Sequence, residues 1–311
     1  MKAVWQDGYG SPDALQLKDI PRPVIDDDGV LVRAVAASVN ALDWHWMRGA
    51  PLLGRTFMGL RRPKERVRGV DVSGRVEAVG KNVTSLEPGD EVFGATDGAF
   101  AEYAAGSENT FVRKPSNITF EQAAAVPIAA ITALQGLRDA GKVKPGQRVL
   151  INGAGGGVGT FAVQIAGAFG AHVTAVTCTE NVDLVRSIGA AEVIDYTKED
   201  FTRSGQRYDL ICTIGGHRPL SEFRRAMTPE ATVVIVGGDN PLSTVFFSRF
   251  HRGMGSFLAK RNKEDLLVLK ELIEAGKVTP VIDRTFPLAQ APDAIRYLEA
   301  GHVQGKVVIT V

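Results

Sequence analysis

Cysteine is nearly absent from this chain: 311 residues contain only Cys178 and Cys212. Neither has a C-x-x-C neighbour or histidines clustered around it. They read as small core residues of a reducing compartment rather than as a disulfide framework or a thiolate metal site. Histidine is sparse too, and its five copies, at 45, 172, 217, 251 and 302, are scattered. An excess of charge of either sign is also missing: 36 Lys+Arg against 35 Asp+Glu leave +1. That balance argues against nucleic acid or an anionic membrane as the main partner. No apolar run reaches the ~20 residues of a transmembrane helix. Met1 leads directly into strand-like sequence with no secretory or transit signature, so a cytoplasmic protein is expected. There are no internal repeats. The basic run of Arg61, Arg62, Lys64, Arg66 and Arg68 is expected to be a solvated loop.

Glycine, by contrast, is plentiful at 34 residues. Its most telling placement is in 148–159, where an aliphatic run climbs into a turn of small residues and then into an apolar helix pattern. The turn reads Ala154-x-Gly156-x-x-Gly159, with alanine in place of the usual first glycine. A strand feeding such a turn can hold a dinucleotide pyrophosphate, because the helix N-terminus offers unpaired N–H groups and partial positive charge. Strands expected at 149–152, 172–177, 192–195, 209–213 and 232–236, with a short one at 256–259, alternate with helices near 160–169, 180–188 and 219–227. Such alternation predicts parallel strands joined by crossover helices, an α/β doubly wound sheet. Residues 1–120 read instead as short strands with many turns, a barrel-like β unit. An alanine-rich helical stretch at 121–141 is kinked or restarted at Pro127. The stretch 262–275 reads as an amphipathic helix, and β character returns from 278 onward. The domains are therefore expected at 1–120 plus 277–311 and at 121–276.

Several motifs, taken in order, carry a family resemblance: Asn40 with Asp43; Gly69, Asp71 and Gly74; Pro88, Gly89 and Asp90; Gly98 to Tyr103; Thr132; Lys144 to Gly146; Gly189 and Ala190; Asp195 and Tyr196; Gly305 and Lys306. With them the chain resembles the medium-chain dehydrogenase/reductase superfamily, in its zinc-free quinone oxidoreductase-like branch. The resemblance implies a GroES-like catalytic domain, a Rossmann domain, a cleft between them and a homodimer. The positions that carry zinc ligands in the superfamily's alcohol dehydrogenases hold Ala37 to Asn40 and Gly69 to Asp71 here, and the four-cysteine loop is missing, so no metal is expected. Without a Lewis acid, hydride addition to a quinone or an α,β-unsaturated carbonyl suits the site, since the charge delocalises as an enolate.

The resemblance implies cofactor contacts from Thr132, Gly156, Gly157, Val158, Gly159, Gly237, Phe257, Leu258 and Lys306. An acidic side chain ~20 residues after the glycine turn would favour NAD. Thr177, Cys178 and Thr179 stand there instead, so NADPH is expected, with NADH possible; Thr179, Asn181 and Tyr196 are the resemblance's candidates for its 2′-phosphate. Glu180 departs from the pattern, since relatives often carry a cation there. At the substrate end, Asn40 is the first candidate contact, and Asp43 is expected to shape that loop. Trp44, Trp46 and Met47 offer an apolar wall. Two rival readings are an alcohol dehydrogenase acting on simple carbonyls and a non-catalytic NADPH-binding protein.

Overall fold

A computed structural model describes residues 1–50, 52–214, 218–236, 254–256 and 259–311. The chain divides into two compact units, residues 1–128 with 261–274 and 280–311, and residues 129–260 with 275–279.

The second unit is built on six parallel strands. In spatial order they are Glu192–Asp195, His172–Thr177, Arg148–Asn152, Tyr208–Thr213, Met227–Ile235 and Met254–Ser256. The order reverses between Arg148–Asn152 and Tyr208–Thr213, and open α/β sheets bind ligands at the carboxyl ends of strands at such a switch point. These strands were legible because burial on both faces makes them continuous apolar runs; Val149, Leu150 and Ile151 are fully buried. Leu150, Val176, Ile211 and Val233 pack with Phe201, Tyr208 and Phe223 in one core cluster. The helix expected at 219–227 is shorter, Leu220–Phe223 followed by a 3₁₀ turn at Arg224–Ala226. The last strand is Met254–Ser256, a little earlier than the sequence pattern suggests.

The first unit carries a seven-stranded sheet. Its long strand Gly29–Val39 changes neighbours midway, next to a register shift between Ala34 and Ala36. Residues 29–33 pair with Tyr103–Ser107, while residues 36–39 pair with Lys306–Thr310. On its other side runs Asp71–Val79, followed by Glu91–Ala95 and Phe111–Arg113. Inside lie Val30, Val32, Val72, Val92, Phe100, Phe111 and Ile309. Two assignments differ from the sequence reading. The stretch after residue 278 is not all β: between Ile282–Pro287 and Lys306–Thr310 runs the helix Ala291–Glu299, which buries Ala291, Ala294 and Ile295. Their spacing of three and four residues is helical. The amphipathic helix, Lys263–Glu274, belongs to this unit: the Ile273 carbonyl accepts the Asn117 side-chain amide at 2.8 Å. No helix among the described residues is long and apolar enough to cross a membrane.

Candidate functional site

The glycine turn of the second unit is a backbone device. Arg148–Asn152 ends at Asn152, whose side chain donates to Thr213 Oγ1 at 3.0 Å. Gly153 follows with φ of 85°, so it supplies the left-handed turn and leaves Ala154 free to be a buried alanine. Helix Gly157–Ala168 starts one residue after Gly156, whose carbonyl accepts Thr160 N–H at 2.9 Å. The N–H groups of Gly157, Val158 and Gly159 therefore precede the helix's own hydrogen-bond ladder. Gly159 is there for packing: a Cβ would sit 2.1 Å from the Gly153 carbonyl oxygen. Gly156, Gly157 and Val158 remain partly exposed. Beside the turn lies Asn181, 7 % exposed, with its Oδ1 buried and unpartnered and its amide against Gly155. Partly exposed amides at a helix N-terminus next to an unspent acceptor fit a dinucleotide's phosphates and hydroxyls.

Around the neighbouring strand ends, two expectations need correction. Thr177 is 3 % exposed and lies inside the sheet. Thr179 is committed: its hydroxyl donates to Asp195 Oδ2 at 2.6 Å, so its proton is not available to a phosphate. Asp195 also accepts from the Thr197 hydroxyl at 2.7 Å and pairs with Lys198 Nζ at 2.8 Å. These donors, Lys198 first, hold its carboxyl well below the usual range. Tyr196 stands out at 56 % exposed. Lys198, with an exposed side chain, is a cation beside Thr179 that nothing in the sequence singles out, since there it reads as one more loop lysine. Thr132 is half-buried on helix Pro127–Gln135. Gly237, Phe257 and Leu258 lie outside the described residues.

The first unit holds a network of buried side chains assembled by strand register. Ser38 pairs with Asp71, and Val307 with Val39, which sets Lys306 next to Asn40. Lys306 is 2 % exposed; its Nζ donates to Asn40 Oδ1 at 2.6 Å and to the Val39 carbonyl at 3.2 Å. Asn40 Nδ2 donates in turn to Asp71 Oδ2 at 2.9 Å. Asp71, with no exposed surface, also accepts from Ser38 Oγ at 3.0 Å and from Ile128 N–H at 3.1 Å, and lies 3.7 Å from Lys306 Nζ. Burial drives the Asp71 carboxyl up and the Lys306 ammonium down, and their mutual attraction opposes both. Asp43 takes the Asn40 backbone N–H on Oδ2 at 2.7 Å, while its own N–H donates to the Asn40 carbonyl at 3.0 Å. It thus shapes the start of helix Ala41–Arg48. Burial first, and then Asp71, push its pKa up to about 7.

Asn40 is no ordinary turn asparagine, since its amide bridges a carboxylate and an ammonium. Ser38 and Asp71 were missed as partners because only pairing across strands joins them. Met47 has no exposed surface and sits in the core, so it forms no wall for a substrate. Trp44 packs partly against that core and stacks on His45 with centroids 3.7 Å apart. Trp46 lines a small cavity with Asp43 and Arg68. Among the described residues no group of three or more His, Cys, Asp or Glu could hold a metal ion.

Two family models match, an alcohol dehydrogenase GroES-like domain over residues 26–116 and a zinc-binding dehydrogenase over residues 188–309. A 2-methylene-furan-3-one reductase of Solanum lycopersicum is 36 % identical over 326 residues, covering 99 % of this chain and 79 % of that protein. An NADPH-dependent alkenal/one oxidoreductase of Arabidopsis thaliana is 36 % identical over 327 residues, with the same coverage of 99 % and 79 %. A solved quinone oxidoreductase from Coxiella burnetii superposes with a TM-score of 0.90 at 31 % identity, covering 100 % of this chain and 99 % of that one. With a GroES-like first unit and a Rossmann second unit, the chain belongs to the medium-chain dehydrogenase/reductase superfamily, in its quinone oxidoreductase-like branch.

Proposed function

We propose that this protein is an NAD(P)H-dependent oxidoreductase that reduces a quinone or an α,β-unsaturated carbonyl without a metal ion. The observation that carries the reading is the buried Lys306–Asn40–Asp71 chain. Zinc dehydrogenases polarise oxygen with a metal; here an ammonium and an amide are fixed by a carboxylate instead. Lys306 uses two of its three donors on Asn40 and Val39, and Asn40 uses one of its two on Asp71. With the third Lys306 donor turned to Asp71, the second Asn40 amide hydrogen would serve an oxygen that gains negative charge, the kind of preorganised donor that stabilises an enolate. The bound cofactor supplies the hydride. Gly156, Gly157 and Val158 would hold its diphosphate, and Asn181 Oδ1 would accept from a hydroxyl. Relatives bearing the names of an alkenal/one oxidoreductase and a quinone oxidoreductase support this acceptor class.

We favour NADPH. Lys198 and Tyr196 are exposed beside the Asp195 strand end, and Lys198 would serve the 2′-phosphate in place of the cation missing at Glu180. The same reading carries a homodimer acting in the cytoplasm, which light scattering and cell fractionation test. The decisive assay follows NADPH and NADH oxidation against a panel of quinones, enones and simple aldehydes, with metal analysis of the same sample. Turnover of quinones or enones with less than one metal ion per ten chains is expected. Turnover of simple aldehydes alone, or activity that tracks bound zinc, would sink the reading.

A further inference from the structure

Within the basic run 61–68, expected to be a solvated loop, one member breaks the pattern. Arg61, Arg62 and Lys64 are exposed, and Arg66 pairs with Asp7 at 3.3 Å. Arg68 is 5 % exposed. Its backbone is fixed on both sides: N–H donates to the Val4 carbonyl at 3.0 Å, and its carbonyl accepts Phe100 N–H at 2.8 Å. Its Nε is buried without a hydrogen-bond partner. A guanidinium in that position has lost water and gained nothing at that atom, a costly arrangement unless a nearby charge offsets it. Burial accordingly pulls its pKa down, while Asp43, Tyr9, Glu65 and Asp97 push it up.

Arg68 lines a cavity with room for about one water molecule, together with Asp43, Trp46, Glu65 and Asp97. Of these carboxylates Glu65 and Asp97 are exposed, and Asp97 is paired with Arg261 at 3.0 Å. Asp43 alone is buried, at 2 % exposure. The charged groups acting on Asp43 from its surroundings are Asp71, which repels it, and Lys306 and Arg68, which attract it. Lys306 is already engaged with Asn40, Val39 and Asp71.

We propose that Arg68 is a positioning residue: across this cavity its guanidinium favours the carboxylate form of Asp43, which grips the Asn40 backbone and so sets the Asn40 amide between Asp71 and Lys306. The proposal rests on the role given above to Asn40 and Lys306. Nothing in the glycine turn depends on it.

The test reads Asp43 in two ways. The first needs no substrate: the unfolding midpoint of the intact protein is followed from pH 4 to pH 9 in wild type, Arg68→Met, Arg68→Lys, Asp43→Asn and the Arg68→Met/Asp43→Asn pair. A carboxyl whose folded pKa is raised adds stability that is complete below its unfolded pKa and is lost as pH rises through the folded value, about 7 here. In Arg68→Met that loss extends upward by about one pH unit. In Arg68→Lys it stays near the wild-type position. In Asp43→Asn it vanishes, with or without Arg68. The second reading is the acid limb of kcat/KM: it moves up by the same interval in Arg68→Met and returns in Arg68→Lys, with kcat reduced and the cofactor KM unchanged. Should Arg68→Met fail to fold, Arg68→Gln keeps a donor in the cavity and reports the same shift. Coincident wild-type and Arg68→Met unfolding profiles overturn the proposal. If no acceptor is turned over, the functional reading fails, and the unfolding profiles still decide the coupling of Arg68 to Asp43.

Discussion

The two units solve the handling of charge in opposite ways. The glycine turn of the second unit relies on backbone amides, and side chains there are kept out of the way: Gly159 leaves no room even for a Cβ. The first unit relies on side chains that are almost wholly buried, Lys306, Asn40, Asp71 and Asp43, each satisfied by another. The backbone site tolerates side-chain change as long as the chain can make the turn. The side-chain site is sensitive to the loss of any member, because each loss strands a polar partner away from water. Stability and activity are therefore expected to be coupled throughout the first unit, and in the second only where a side chain would enter the turn itself, as at Gly159.

The strongest challenge to that contrast is Lys306→Met. It leaves Asp71 without its cation, and a broken buried ion pair costs about 3–5 kcal/mol; the expected outcome is a large drop in the urea midpoint together with loss of quinone or enone turnover. A variant that keeps wild-type stability would break the comparison. Gly159→Ala comes next. Its methyl would press on the Gly153 carbonyl, and overpacking of this kind costs about 1–3 kcal/mol. The expected effect is weaker cofactor binding by fluorescence titration, with the pH dependence that Asp43 imposes unchanged. Lys198→Ala sharpens the contrast at the nucleotide end. A lost charge-assisted hydrogen bond is worth about 1.5–3 kcal/mol, so KM for NADPH rises by about tenfold or more while KM for NADH stays put; equal changes for both would remove Lys198 from phosphate recognition. The smallest effect concerns Cys212, whose thiol is buried and pushed up to about 12 by desolvation. Iodoacetamide is expected to leave it unmodified in the native protein at neutral pH and to label it after unfolding, as mass spectrometry would show.

The units also differ in how readily they could be read. The parallel strands announced themselves as apolar runs punctuated by glycine, and the amphipathic helix Lys263–Glu274 by its spacing. The helix Ala291–Glu299 was hidden because small alanines make up much of its buried face and a proline stands near its start. Asn40 and Lys306 could be named from family motifs, but not what they do to each other. Their contact spans 266 positions, and it depends on a strand register that local pattern does not encode. Arg68 was unreadable for a related reason: within a run of cations, nothing local distinguishes the one that turns inward.

The placement of Lys306–Thr310 as an interior strand has a consequence for biosynthesis. It lies between Gly29–Val39 and Ile282–Pro287, so a ribosome must pass residue 306 before the cation facing Asn40 and Asp71 exists at all. Until then the growing chain carries an unpaired sheet edge along residues 36–39 and a carboxylate without its counter-charge. Such an edge invites association with other chains. Nascent chains halted short of that point are therefore expected to associate more readily than the finished chain.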